Sequence, residues 1–236
     1  MAQGSRMPDA SPRTRPLAIA HRAGNDLSQL AAAFAAGVDY AEADVWLDRG
    51  RLEVRHEKTA GPIPVLWERW TLRAGWKPRL LLDQVLAAAA GQGRLFLDLK
   101  GQAKGMAQAV ADAVERAGVS ESVAFSTPTW AHLDRLRTLM PQAPRFYTVG
   151  RAGKLGGLRR RLERGEIEAV SIDSRLVTQV LIAELGAGGA GTIVTWGVET
   201  AEAARRVLAC GVSGVTSDSL ALLASVRGGE LSPSLS

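Results

Sequence analysis

Eight times along this chain a short apolar run, too brief for a helix, is followed by a longer segment with apolar residues at helical spacing. That alternation constrains the fold more than any other feature. Strands that alternate with helices pair in parallel, because each helix carries the chain back to begin the next strand on the same side. The runs are Leu17–Ala20, Asp39–Leu47 (resuming at Leu52–Arg55), Arg94–Lys100, Ser122–Ser126, Arg145–Val149, Glu168–Ile172, Gly191–Trp196 and Gly214–Thr216. No Asn-Gly or Asp-Gly stands between alternating runs, so no hairpin is expected. Glycines 37, 91 and 118 stop three of the helices, and Pro128 is placed to open the helix Thr129–Met140. Eight such units in 236 residues favour a single-domain α/β fold closed as a (β/α)8 TIM barrel over an open doubly wound sheet.

The barrel is expected over residues 16–228. Residues 1–15 read as a disordered polar arm and 229–236 as a loose tail. Residues 57–78, with Gly61, Pro62, Pro64, Pro78 and three tryptophans (Trp67, Trp70, Trp76), form a short insertion after the second strand. Those tryptophans either pack on the barrel or rim its mouth. The Gly-rich turn at 186–191 follows a helix and precedes a strand, the reverse of a dinucleotide-binding turn, and is discounted.

The charge balance, 29 Lys+Arg against 24 Asp+Glu, is only mildly basic and argues against a nucleic-acid partner. The cluster Arg159, Arg160, Arg161 and Arg164 reads as a solvated helix face. A single cysteine, Cys210, rules out an intramolecular disulfide and a cysteine-based zinc site. No apolar stretch reaches the length of a membrane span, and the N-terminal residues lack an apolar signal core. A cytoplasmic location is expected. Oligomeric state is not specified by the sequence.

In (β/α)8 barrels the reactive groups sit at the carboxyl ends of strands. Here those ends carry His21-Arg22, Glu42 and Asp44, His56, Asp98 and Lys100, Ser126, Tyr147, Asp173, Trp196 and Asp218. Glu42 and Asp44 are two residues apart on a strand, so both point the same way, as do Asp98 and Lys100. Three carboxylates in a barrel mouth are costly without compensation. A hard divalent cation with oxygen ligands would supply it, as would a salt-bridge network with Lys100 and Arg22. Two histidines suit proton transfer. An arginine beside the first suits a bidentate grip on a phosphate.

The stretch A-H-R-x-G, a helix, then D-Y-A-E-A-D-V-W-L-D-R-G-R-L-E-V-R-H-E resembles the glycerophosphodiester phosphodiesterase family. L-D-L-K (97–100), V-T-W-G-V (194–198) and G-V-S-G-V-T-S-D (211–218) extend the resemblance over roughly residues 17 to 220. The resemblance implies a TIM barrel with a divalent metal, Mg²⁺ or Ca²⁺, that cleaves glycerophosphodiesters to glycerol 3-phosphate and an alcohol. It implies that His21 and His56 are the acid/base pair, that Arg22 and Lys100 hold the phosphate, and that Glu42, Asp44 and Asp98 ligate the metal. Trp196 would form a wall against the substrate. Three features depart from the pattern. A P-E-N-T/S segment is missing after the first strand, and Asn25 stands in for the family's Asn. Asp98 replaces the more common Glu. Glu57 follows the second His, and the insertion after it is abbreviated. The resemblance leaves a lysophospholipase D-like or sphingomyelinase D-like lipid phosphodiesterase as one alternative, and a non-catalytic phosphodiester-binding barrel as another.

Overall fold

A computed structural model describes residues 15–59, 65–68, 71–74 and 79–231. Eight parallel strands close on themselves: β1 (Leu17–Ala20), β2 (Tyr40–Asp48), β7 (Leu95–Lys100), β8 (Val123–Thr127), β9 (Arg145–Val149), β10 (Ala169–Asp173), β11 (Thr192–Trp196) and β12 (Gly214–Ser217). The pairing of β1 with both β12 and β2 leaves no edge. Each barrel strand is followed by one of the helices α1 (Leu27–Ala35), α2 (Leu82–Ala89), α3 (Met106–Ala117), α4 (Trp130–Leu139), α5 (Leu155–Glu163), α6 (Gln179–Ala187), α7 (Ala201–Ala209) and α8 (Leu220–Arg227). The (β/α)8 barrel expected from the sequence is thus borne out. Among the described residues no helix is long and apolar enough to cross a membrane.

The period-2 pattern of the strands divides the interior in two. Leu17, Ile19, Tyr40, Phe96, Ala124, Phe146, Ala169 and Val194 fill the lumen. The alternate residues, among them Ala18, Ala20, Ala41, Ala43 and Val45, pack under the helices. Small residues at those outward positions let the connecting segments approach closely. Gly24 is the tightest such place: a Cβ there would lie 2.6 Å from Ala43 Cβ and 3.0 Å from the Glu42 carbonyl oxygen. The helix starts follow from local chemistry. Asp26 accepts the backbone N–H of Ser28 and Gln29 to start α1, and Thr178, Thr200 and Ser219 cap α6, α7 and α8 the same way. Pro128 lies ahead of α4 rather than within its first turn, because Thr129 takes the cap position.

One expectation needs correction. The chain after β2 does not resume in the same direction: β3 (Arg51–Val54) runs antiparallel to it, with Val45 opposite Val54 and Asp48 opposite Arg51. The turn has Arg49 at φ 48° and Gly50 at φ 77°, the left-handed pair that a two-residue hairpin requires. Arginine can occupy the first of those positions, so a search for Asn-Gly or Asp-Gly passes over it. Beyond β3, the expected insertion contains β4 (Lys58–Thr59), β5 (Val65–Glu68) and β6 (Thr71–Ala74), paired as a three-stranded antiparallel sheet. Trp70 and Trp76 lie outside the described residues, as do residues 1–14 and 232–236.

Candidate active site

The polar residues gather at the carboxyl end of the barrel, where β1, β2 and β7 lie side by side. Parallel register puts Asp44 beside Asp98 and Glu42 beside Phe96. Both β2 carboxylates are buried, Glu42 at 4% exposure and Asp44 at 0%. One oxygen from each of Glu42, Asp44 and Asp98 lies within 4.8 Å of the others. The Lys100 ammonium stands between two of these groups, 2.6 Å from Asp44 Oδ1 and in contact with Asp98. Ser126 on β8 donates to the other Asp98 oxygen at 2.9 Å.

This crowding sets the protonation states. Burial, with the Asp44 charge beside it, pushes the Glu42 carboxyl well above the ordinary carboxylate range. Burial acts on Asp44 in the same direction. Hydrogen bonds from His56, Lys100 and Asn25, with the Lys100 charge, outweigh it and hold Asp44 well below that range. For Lys100, the neighbouring Asp98, Asp44 and Glu42 charges overcome burial and raise its pKa. The donor set fits a hard divalent cation: three carboxylate oxygens in close range, one belonging to a group that burial and the neighbouring Asp44 charge push toward its protonated form.

The first strand ends in a strained turn. Arg22 has φ 53° and ψ 9°, a left-handed conformation uncommon for a side-chain-bearing residue. That conformation points its backbone N–H at Glu42 Oε2, 2.6 Å away. The short helical turn Ala23–Asn25 follows. It delivers Asn25, whose amide donates to Asp44 Oδ2 at 2.8 Å while its oxygen accepts the Asp44 backbone N–H at 2.9 Å. The Arg22 guanidinium lies against His56, with Nη2 2.5 Å from Nε2, and its Nε is 4.0 Å from Asp44 Oδ2. His56 presents its other nitrogen, Nδ1, to Asp44 Oδ2 at 2.9 Å.

His56 depends on charged groups that the sequence reading did not single out. Arg55, buried beside it, donates to Glu53 Oε2 at 2.9 Å and lies 5.0 Å above the Trp46 ring. Trp46 Nε1 donates to the Arg55 carbonyl at 2.9 Å. Arg79, from beyond the insertion, joins Glu53 and Asp48. These contacts anchor the hairpin end that carries His56. The period-2 reading finds residues on one strand but does not show that β3 folds back under β2.

His21 sits across from this group, its Nδ1 2.8 Å from Asp218 Oδ1 at the end of β12. Enclosure by the protein lowers the His21 pKa, and the Asp218 carboxylate offsets part of that effect. Trp196 stands half-buried at the end of β11. Its edge lies 3.5 Å from where a Gly150 Cβ would be, and its buried Nε1 has no hydrogen-bond partner among the described residues. The structure therefore brings together Glu42, Asp44, Asp98, Lys100, Arg22, Asn25 and His56 in direct contact. His21 and Trp196 stand at the ends of β1 and β11, outside that set of contacts.

Two other strand-end residues turn elsewhere. Tyr147 faces the helices rather than the lumen, and its hydroxyl donates to Asp134 at 2.9 Å on α4. Burial and that bond push its pKa up to about 12. Asp173 is occupied by its own loop, accepting from the Arg175 backbone and side chain.

No protein-family profile matches the chain, and neither does any curated protein. Solved structures do. A protein of Silicibacter pomeroyi DSS-3, provisionally named a glycerophosphoryl diester phosphodiesterase, superposes with a TM-score of 0.77 at 20% identity, covering 94% of this chain and 96% of its own. A glycerophosphodiester phosphodiesterase of Parabacteroides distasonis gives 0.74 at 18% identity over 91% and 97%. A phosphodiesterase of Oleispira antarctica, solved with its product sn-glycerol 3-phosphate, gives 0.71 at 18% identity over 92% and 97%. At these identities the likeness is one of fold, and it spans nearly the whole chain.

Proposed function

We propose that this chain is a metal-dependent phosphodiesterase that hydrolyses glycerophosphodiesters to glycerol 3-phosphate and an alcohol. One observation carries the reading. Three carboxylates with oxygens within 4.8 Å, a lysine, an arginine and a histidine meet at the carboxyl mouth of a (β/α)8 barrel. That donor set combines a cation site with phosphate-binding and proton-transfer groups. The fold likeness to phosphodiesterases, one of which holds glycerol 3-phosphate, supports it.

A divalent cation, Mg²⁺ or Ca²⁺, held by Glu42, Asp44 and Asp98 would supply positive charge to a phosphate oxygen. Arg22 turns its guanidinium from His56 to the phosphate, where two parallel N–H groups match two oxygens. Lys100 neutralises charge that develops on the phosphoryl oxygens. Trp196 and Asn25 border the bound diester. In the reaction, the oxygen of a water molecule bonds to phosphorus while the bond to the departing alcohol breaks, leaving glycerol 3-phosphate and the alcohol. His21 Nε2 accepts a proton of the attacking water. Once Arg22 has left it, His56 Nε2 takes up a proton from solvent and gives it to the departing oxygen. The substrate is a small-molecule or lipid phosphodiester with a glycerol-like group on one side. We place its action in the cytoplasm, in keeping with a chain that has one cysteine.

The test is release of glycerol 3-phosphate from a panel of glycerophosphodiesters with Mg²⁺, with Ca²⁺ and with EDTA. Cation-dependent release that EDTA abolishes is the expected result. Release undiminished by EDTA would overturn the role given to the three carboxylates.

A further inference from the structure

His21 and His56 each present Nδ1 to a carboxylate, but the two carboxylates differ in kind. Asp44, behind His56, is fully buried and shared with Asn25 and Lys100. Asp218, behind His21, comes from a residue 197 positions away, and its side chain is 61% exposed. An exposed aspartate has water available on every side, so its placement on one imidazole nitrogen requires a structural cause.

The barrel supplies that cause. Parallel register sets Ala20 beside Ser217, so the next residues on the two strands leave the barrel together. The His21 backbone N–H bonds to the Ser217 carbonyl at 2.9 Å, which fixes the spacing. Behind Asp218, Glu199 accepts from Ser217 Oγ at 3.2 Å and lies 3.4 Å from the Asp218 backbone N–H. The Ser217 hydroxyl accepts in turn from the Ser219 backbone N–H, tying the same corner to the start of α8. Asp218 is thus held by its backbone while its carboxylate stays outside the cluster of Glu42, Asp44 and Asp98.

We infer that Asp218 is a positioning residue for His21: it accepts the Nδ1 proton, keeps the tautomer whose Nε2 carries the lone pair, and stabilises the imidazolium that forms. The inference rests on the phosphodiesterase reading and assigns His21 the part of general base. As the attacking oxygen bonds to phosphorus, its proton moves to His21 Nε2, and the proton on Nδ1 stays in the bond to an ionised Asp218. His56 has a different starting point, because an arginine lies on its Nε2. The nearby charges acting on His21 are Asp218 from β12, Arg22 beside it, and Asp44 from β2.

The experiment compares Asp218→Ala, Asp218→Asn and Asp218→Glu with the wild-type enzyme in steady-state kinetics and in ¹⁵N NMR of the imidazole rings. The chain has three histidines, so single His variants assign the signals. The expected result is a fall in kcat of about 10–100-fold for Ala and Asn, less than for a buried triad aspartate because water replaces part of the lost charge. KM stays near the wild-type value, and Glu recovers part of kcat. In the NMR, wild-type His21 carries its proton on Nδ1, and in Asp218→Ala the proton redistributes to Nε2. An unchanged kcat or an unchanged tautomer overturns the inference. So does a fall in kcat and rise in KM that track a lowered melting temperature, since that marks a merely structural contact. Should the wild-type enzyme turn over no glycerophosphodiester, the phosphodiesterase reading fails, while the tautomer of His21 in Asp218→Ala still decides whether the carboxylate sets the imidazole.

Discussion

Replacing Glu42 by Gln should make the protein more stable without a cation and largely blind to one. Glu42 is 4% exposed and shares a 4.8 Å space with Asp44 and Asp98, while the Lys100 ammonium is engaged with those two. Burial and the Asp44 charge raise the Glu42 pKa well above its ordinary value. The folded state therefore keeps a proton that the unfolded chain loses above about pH 4.3. Stability in EDTA should fall as pH rises from there toward the folded-state pKa. Gln removes the charge and keeps an oxygen for the Arg22 backbone N–H, which is 2.6 Å away. A cation that binds only the folded state at about 100 times its Kd adds about 2.7 kcal/mol. For a chain of this size, each kcal/mol moves Tm by about 2–4 °C, so the wild-type protein should gain roughly 5–10 °C. Thermal melts at pH 8, in EDTA and then in Mg²⁺ or Ca²⁺, measure both effects. The expected pattern is a Glu42→Gln Tm in EDTA equal to or above the wild-type value, with most of the cation shift lost. A variant that melts lower in EDTA and keeps the full shift would refute the reasoning.

Two further predictions concern the scaffold. Gly24→Ala places a Cβ 2.6 Å from Ala43 Cβ, an overpacking cost of about 1–3 kcal/mol. A lowered Tm and a lowered kcat should appear together, because the same turn carries Arg22 and Asn25; an unchanged Tm would show that the turn yields freely. At Asp134, burial raises the carboxyl pKa, but hydrogen bonds from Arg161 and Tyr147 outweigh it and hold the group low. Its contribution is therefore present above about pH 3.9 and lost as pH falls through the folded-state pKa. Melts of Asp134→Asn should lie below the wild-type Tm at pH 7 and converge on it toward pH 3, and a gap that does not depend on pH would contradict the ion-pair account.

The barrel was legible because its pattern is local. Each strand announces itself by length and period, each helix by spacing and caps, and eight repeats of the unit leave closure as the economical arrangement. The site was legible for the same reason: Glu42 and Asp44, and Asp98 and Lys100, share faces by period alone. What the sequence concealed depends on direction and on neighbours far away in the chain. The reversal of β3 turns on Arg49 and Gly50 in left-handed conformations, which an arginine seldom signals. Tyr147 lies one residue from Phe146, which fills the lumen, so its face depends on strand register that spacing alone leaves open. The pairing of His21 with Asp218 joins the first barrel strand to the last, so it follows from closure and not from any motif.

The measurement that bears most directly on the account is a ³¹P NMR time course of glycerophosphocholine with the wild-type enzyme and Mg²⁺, run beside His21→Ala. The account predicts that the diester signal gives way to glycerol 3-phosphate, that EDTA stops the change, and that the variant shows none of it. A diester signal that persists with the wild-type enzyme, or that gives way to phosphocholine, would contradict the proposed reaction.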